Sequence, residues 1–250
     1  MFRHRLQKAS SWRTRFDWFL LSFLAGNVNA GGYLAAHRFV THVTGFATLF
    51  GIDAARGRWD GAIGIASIPI YFLLGVIISA YLVDRRVHQD KRPKYALVMS
   101  LVGLCLVGAA LGGYFHFFGN FGSDPRLKRD YLLLALLCGA SGLQNAAISS
   151  SSGATVRTTH LTGLTTDLGT GLVRAFSNPK LYQSEIRATR LRLGTIAAFC
   201  SGSAVGAYFY LKLQYLGFLI PAALAAYSAF EALHPLRRLQ RINRLKKLKR

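Results

Sequence analysis

The 250-residue chain is 52% hydrophobic and only 16% charged, yet carries a formal net charge of +21. So little polar sequence cannot cover the surface of a soluble domain, and the composition reads as an integral membrane protein. The Lys and Arg residues cluster at both ends and between apolar runs, where membrane topology accounts for them, so no nucleic-acid partner is expected.

In chain order, residues 1–15 form a basic arm with Arg3, Arg5, Lys8, Arg13 and Arg15. The arm and the apolar run behind it resemble a signal peptide, with Asn27-Val28-Asn29-Ala30 as a small-residue end. Cleavage there would destroy a repeated motif, so the segment reads as an uncleaved first helix. Residues 16–118 make a first membrane repeat, with spans at 16–36, 62–83 and 95–118. A loop at 119–130 leads into a second repeat at 131–232, with spans at 131–148, 193–211 and 215–230. Each run is about long enough to cross a hydrocarbon core of about 30 Å at 1.5 Å per residue. In the tail, 233–250, Leu236, Leu239, Ile242, Leu245 and Leu248 recur every third residue among Arg237, Arg238, Arg241, Arg244, Lys246 and Lys247. That pattern fits a basic amphipathic helix on anionic lipid, and equally a topological anchor.

The repeat is visible in polar residues. Val40-Thr41-His42-Val43-Thr44-Gly45 returns as Thr158-Thr159-His160-Leu161-Thr162-Gly163. Gly26, Asn29 and Ala30 fall on Gly142, Asn145 and Ala146 at a spacing of 116, and His42, Thr44, Gly45 and Gly51 on His160, Thr162, Gly163 and Gly169 at 118. A two-residue insertion near Ser149 to Gly153 reconciles the two spacings. Segments 41–55 and 158–175, which carry the motif, are shorter or more polar than their neighbours. Were both full spans, the basic loop with Arg85, Arg86, Lys91, Arg92 and Lys94 would lie on the face opposite the termini, against the cytoplasmic preference of such loops. The expected fold is therefore all-α, with about six spanning helices and two re-entrant or half helices, built from two inverted-topology repeats.

The candidate solute path follows from the same motif. Asn29 and Asn145 sit in glycine-rich runs that predict either a broken helix or a tight packing seam with hydrogen-bonding glue. On a helix from Arg157, the positions of Arg157, His160 and Asp167 lie within roughly 80° of one another. His42 and Asp53 share a face in the first copy. Histidine suits proton coupling, the bland alternative being an ion pair that locks the hairpin. Hydroxyls at Ser149 to Ser152, Thr155, Thr158 and Thr159 lead into a helix N-terminus that favours an oxyanion, with Arg157 as a charge clamp. The path would comprise Asn29, His42, Thr44, Asn145, Arg157, Thr159, His160, Thr162 and Asp167, serving a small anionic or zwitterionic solute. Cys105, Cys138 and Cys200 lie in apolar runs without metal-ligand spacing, and no nucleotide or nucleophile-elbow motif occurs. No cofactor, metal or catalytic residue is therefore expected.

The run Val156-Arg157-Thr158-Thr159-His160-Leu161-Thr162-Gly163-Leu164-Thr165-Thr166-Asp167-Leu168-Gly169, preceded by Gly142-Leu143-Gln144-Asn145-Ala146, resembles the hallmark of the YoaK-like family of bacterial membrane proteins. The resemblance covers nearly the whole chain between its terminal arms. It implies six transmembrane segments in a bacterial inner membrane, and no settled function. The chain departs from the family pattern at Asn29, where an aspartate is common, and at Phe46, where an asparagine commonly follows Thr-Gly; losing that carboxylate puts cation or proton coupling through the first repeat in question. Three classes remain: a secondary transporter or channel, the leading one; a membrane scaffold or homo-oligomer; and a membrane enzyme acting on a lipid. Charge placement puts both termini on the cytoplasmic side.

Overall fold

The computed structural model describes residues 12–123, 128–152, 159–177 and 183–248. Among these every regular element is helical. Helix α1 spans Trp12–Ala36, α2 Val43–Ala55 and α3 Trp59–Ser79. Helix α3 runs on through a π-turn at Ala80–Asp84 and a last turn at Arg85–His88. Then come α4 (Tyr95–Tyr114), α5 (Lys128–Ser152), α6 (Leu161–Ser177) and α7 (Gln183–Leu213). A 3₁₀ turn at Gln214–Phe218 joins α7 to α8 (Leu219–Leu248), which includes the basic tail.

Five helical segments are long and apolar enough to cross a membrane: Arg15–Ala36, Gly61–His88, Tyr95–Tyr114, Tyr131–Ser152 and Glu185–Leu233. The last is 49 residues long. As one straight helix it would reach about 70 Å, more than twice a hydrocarbon core. It does not stay straight, because Gln214 takes a left-handed φ of 49° and the chain folds back there. The rings of Tyr210 and Phe218, on either side of the turn, meet at 4.8 Å.

The helix ends sort into two groups. At one end of the bundle, His37 Nε2 donates to the Gly122 carbonyl at 2.7 Å and the Tyr215 hydroxyl donates to the Gly119 carbonyl at 2.7 Å. These bonds gather the exits of α1 and α4 with the α7–α8 turn. At the other end, the Ser150 hydroxyl donates to Asp84 at 3.0 Å, joining the exits of α3 and α5. Trp18, Ile148 and Leu191 cluster there, adding the starts of α1 and α7.

In the bundle α1 packs on α7, α3 on α5, and α4 on α8, with α1 also against α5; the short α2 lies on α3 and α6 on α7. Helices α1 and α5 are central, with 61% and 67% of their apolar windows buried, against 22% for α3. Since lipid tails are as apolar as leucine, helix association inside a bilayer depends on close van der Waals fit rather than on expelling water. Glycine supplies that fit at the two main crossings. A methyl group on Gly26 would collide with the Phe199 carbonyl, and one on Gly202 with the Phe23 carbonyl. At the α3–α5 crossing, Gly142 meets the Phe72 carbonyl and Gly75 the Gly139 carbonyl in the same way. The glycine-rich stretch of α1 therefore forms a packing seam in a continuous helix, and the broken-helix alternative is not realised.

Candidate functional site

Asn29 and Asn145 occupy the same register, each seven residues before the last residue of its 25-residue helix. Both are buried. In the first half, Asn29 Oδ1 accepts from the Thr41 hydroxyl at 2.8 Å and more weakly from the Thr41 backbone N–H at 3.4 Å. The bond draws the chain, after it leaves α1, back along that helix, so α2 starts alongside α1 rather than beyond its end. In the second half the aligned atoms, Asn145 Oδ1 and Thr159 Oγ1, are buried and have no hydrogen-bond partner among the described residues. One latch is closed and its counterpart is open.

His42 follows the closed latch and caps α2 without a side-chain hydrogen bond to the helix. Its ring packs edge-on against Phe39 at 5.5 Å, and Phe39 stacks on Tyr33 at 4.6 Å. Burial, and after it the charge of nearby His160, hold the His42 imidazole below its ordinary 6.5. The two repeated histidines, 118 residues apart in sequence, are thus within electrostatic reach of each other at the starts of α2 and α6. Both helices point their positive dipole ends toward this meeting place. At 13 and 17 residues, α2 and α6 measure about 20 and 26 Å, short of a full crossing.

The helices behind the histidines are open on one side. Thr44, Thr162, Thr166 and Asp167 are exposed. A methyl group on Gly45, Gly51, Gly163 or Gly169 would meet nothing within 4 Å, so these repeated glycines pack against no neighbour among the described residues. Thr166 turns its hydroxyl back to the Thr162 carbonyl at 3.0 Å. Asp53 pairs with Arg58, tying the end of α2 to the start of α3. Arg192 of α7 reaches the Asp167 carbonyl at 3.2 Å and the Glu185 carboxylate at 2.6 Å, tying α6 to α7.

Of the residues expected on the path, the structure puts His42 and His160 within electrostatic reach of each other, buries Asn29, Asn145 and Thr159, and leaves Thr44, Thr162 and Asp167 on the open faces. Arg157 lies outside the described residues, as do the side chains of Arg237, Arg238, Arg241, Arg244, Lys246 and Lys247. Among the described residues no three His, Cys, Asp or Glu side chains group as metal ligands. The sequence reading missed two buried cross-links around the asparagines. Asn27 accepts from the Tyr210 hydroxyl at 3.0 Å, and Gln144 donates to the Leu21 carbonyl, joining α1 to α7 and α5 to α1. The available signal was a carboxamide one or two positions before each aligned asparagine.

No curated protein and no solved structure matches the chain. Residues 18–230 match the model of a protein family, DUF1275, whose description is a protein of unknown function. That match takes in both latches, both histidines and every helix crossing described above, so the chain belongs to the DUF1275 family.

Proposed function

We propose that the chain is a transporter or channel of the bacterial inner membrane, carrying a small anionic or zwitterionic solute past His42 and His160. The observation that supports this reading is that the charge of His160 acts on His42, each histidine standing at the start of a helix too short to span. Half-helix N-termini that meet inside a membrane offer unpaired N–H groups and positive dipole ends to an anion. The exposed Thr, Gly and Asp167 faces of α2 and α6 would be costly against lipid and suit a water-filled path.

Six crossings and an inverted repeat belong to the same proposal. The fold-back at Gln214 makes α7 and α8 separate crossings, and the two groups of helix ends then alternate along the chain, with α2 and α6 re-entering from opposite sides. Support for the repeat comes from the crossings. Gly26 against Phe199 corresponds to Gly142 against Phe72, at the spacing of 116 for the glycines and 127 for the phenylalanines, and Gly202 to Gly75 at 127. On this reading the termini and the Asp84–Lys94 loop are cytoplasmic, and the YoaK-like resemblance fits the same topology. His160 with Asp167 would carry a proton, and Arg157 would clamp the anion.

The glycines that meet nothing also favour a second reading, a scaffold in which α2 and α6 pack against another copy of the chain. Single cysteines at positions 42, 160 and 167, in a chain with Cys105, Cys138 and Cys200 replaced, separate the two. Labelling in intact membranes by water-soluble reagents, blocked by small anions, is expected for a solute path. Silence at all three positions in inserted protein, with cross-linking between copies from positions 45 and 163, would replace transport by the scaffold reading.

A further inference from the structure

The turn between α3 and α4 is held rigidly against the end of α3. The Lys94 N–H donates to the Leu82 carbonyl at 3.1 Å, the Lys91 N–H to the Arg86 carbonyl at 2.8 Å, and Arg86 Nε to the Arg92 carbonyl at 2.7 Å. This pinning shapes a half-open surface recess of about 180 Å³ lined by Tyr81, Arg85, Arg86, Lys91 and Lys94 among others, with no carboxylate in its wall. Of the acids near the recess, Asp84 is engaged elsewhere, accepting from Ser150 of α5 at 3.0 Å and lying 3.5 Å from His88, and Asp90 sits in the turn outside the lining. The π-turn sets Tyr81 beneath Arg85, whose guanidinium sits 4.7 Å from the ring centre. Topology alone explains why cations occupy this loop, but not why four of them converge on one recess.

Along α3 from the recess runs an apolar wall. Leu74, Ile77, Ile78 and Tyr81 are each about half exposed or more, at 50%, 53%, 46% and 60%. A ligand with a phosphate at one end and acyl chains at the other matches both features. The geometry points to a binding site for one anionic phospholipid, its phosphodiester held by Arg85, Arg86, Lys91 and Lys94 and its chains lying on the α3 wall. Arginine binds phosphate oxygens through paired N–H groups, and basic pockets at helix ends hold acidic headgroups. The site is built from the α3–α4 turn and does not depend on transport by the chain.

The test uses the full-length protein in neutral detergent, titrated with phosphatidylglycerol, phosphatidylcholine or free glycerol phosphate and read by native mass spectrometry. One tightly held phosphatidylglycerol is expected. The R85Q/R86Q/K91Q/K94Q variant should weaken it at least about tenfold, the scale set by losing cations beside an acidic headgroup. R237Q/R238Q/R241Q/R244Q, which removes half the tail's cations, should leave it unchanged. If the fourfold loop variant does not fold, K91Q/K94Q alters only exposed loop positions and should give a partial loss. Equal retention of phosphatidylcholine, loss on discharging the tail rather than the loop, or displacement by glycerol phosphate at lipid-equivalent concentration would each overturn the assignment, the last in favour of a free-anion site.

Discussion

Thr41→Val and Thr159→Val are the same chemical change at aligned positions, and the structure assigns them opposite consequences. Valine keeps the volume and branching of threonine and removes only the hydroxyl. At Thr41 that hydroxyl makes the 2.8 Å bond to Asn29 Oδ1 in a buried setting, and its loss leaves the acceptor with the longer 3.4 Å bond from the backbone. A buried acceptor deprived of its better donor costs about 1–3 kcal/mol, and interhelical bonds measured in membranes fall toward the lower end. About 1–2 kcal/mol is therefore expected. At Thr159 the hydroxyl is buried with no partner, so removing it relieves a desolvated group and leaves stability unchanged or slightly improved. Thermal unfolding in detergent, followed with a thiol-reactive dye, measures the difference, because Cys138 is buried in the fold and becomes reactive on unfolding. At about 2–4 °C per kcal/mol for a chain of this size, Thr41→Val should lower the midpoint by roughly 2–8 °C and Thr159→Val should not lower it. Equal losses, or a larger loss at Thr159, would show that both latches are closed in the resting protein and refute the asymmetry.

Three further expectations follow from the packing and the electrostatics. Gly26→Leu or Gly142→Leu drives a side chain into a facing backbone carbonyl and should abolish recovery of monodisperse protein in size-exclusion chromatography. Gly45→Ala and Gly163→Ala, which meet nothing, should be recovered normally and be at least as stable, since alanine favours a helix by roughly 0.5–1 kcal/mol over glycine. Because folding disfavours the charged form of His42, the unfolded chain takes up its proton at the higher pH. Stability should thus be fully present above 6.5 and fall as pH drops through the depressed folded value, and His42→Gln should flatten that dependence in midpoints measured from pH 7.5 to 5. Arg192→Leu removes the partner of Glu185 and the tie to Asp167, so it should cost about 1–3 kcal/mol by the same thermal assay, with Arg192→Lys retaining part of it.

The all-helical, apolar character was legible because apolar runs of that length admit few other readings, and the turn at Gln214–Phe218 falls near the break between two of those runs. The start of α7 was placed ten residues late, since Arg187, Arg190 and Arg192 end the hydropathic signal although the helix continues through them. Repetition of His-x-Thr-Gly singled out His42 and His160, whose charges act on each other in the fold. It could not reveal that Thr41 bonds Asn29 while Thr159 leaves Asn145 alone, because that difference depends on loop geometry and not on residue type. In the sequence, nothing sets Gly75 and Gly202 apart from Gly103 and Gly108, which also lie in apolar runs. Only tertiary contact separates the first pair, pressed against carbonyls, from the second, whose neighbours lie at 3.6 Å or beyond.

The unequal latches also say something about energy. If the two halves are the inverted repeat proposed above, matching residues with one pair bonded and one not would give the molecule a mirror state of nearly equal free energy in which the roles are exchanged. A single net hydrogen bond, about 1 kcal/mol, tilts two such states only about fivefold. A solute that satisfied Asn145 and Thr159 better than water does would then reverse the preference by differential affinity alone. The chain's near-symmetry would make it a balance that small ligands can tip, without any external source of work.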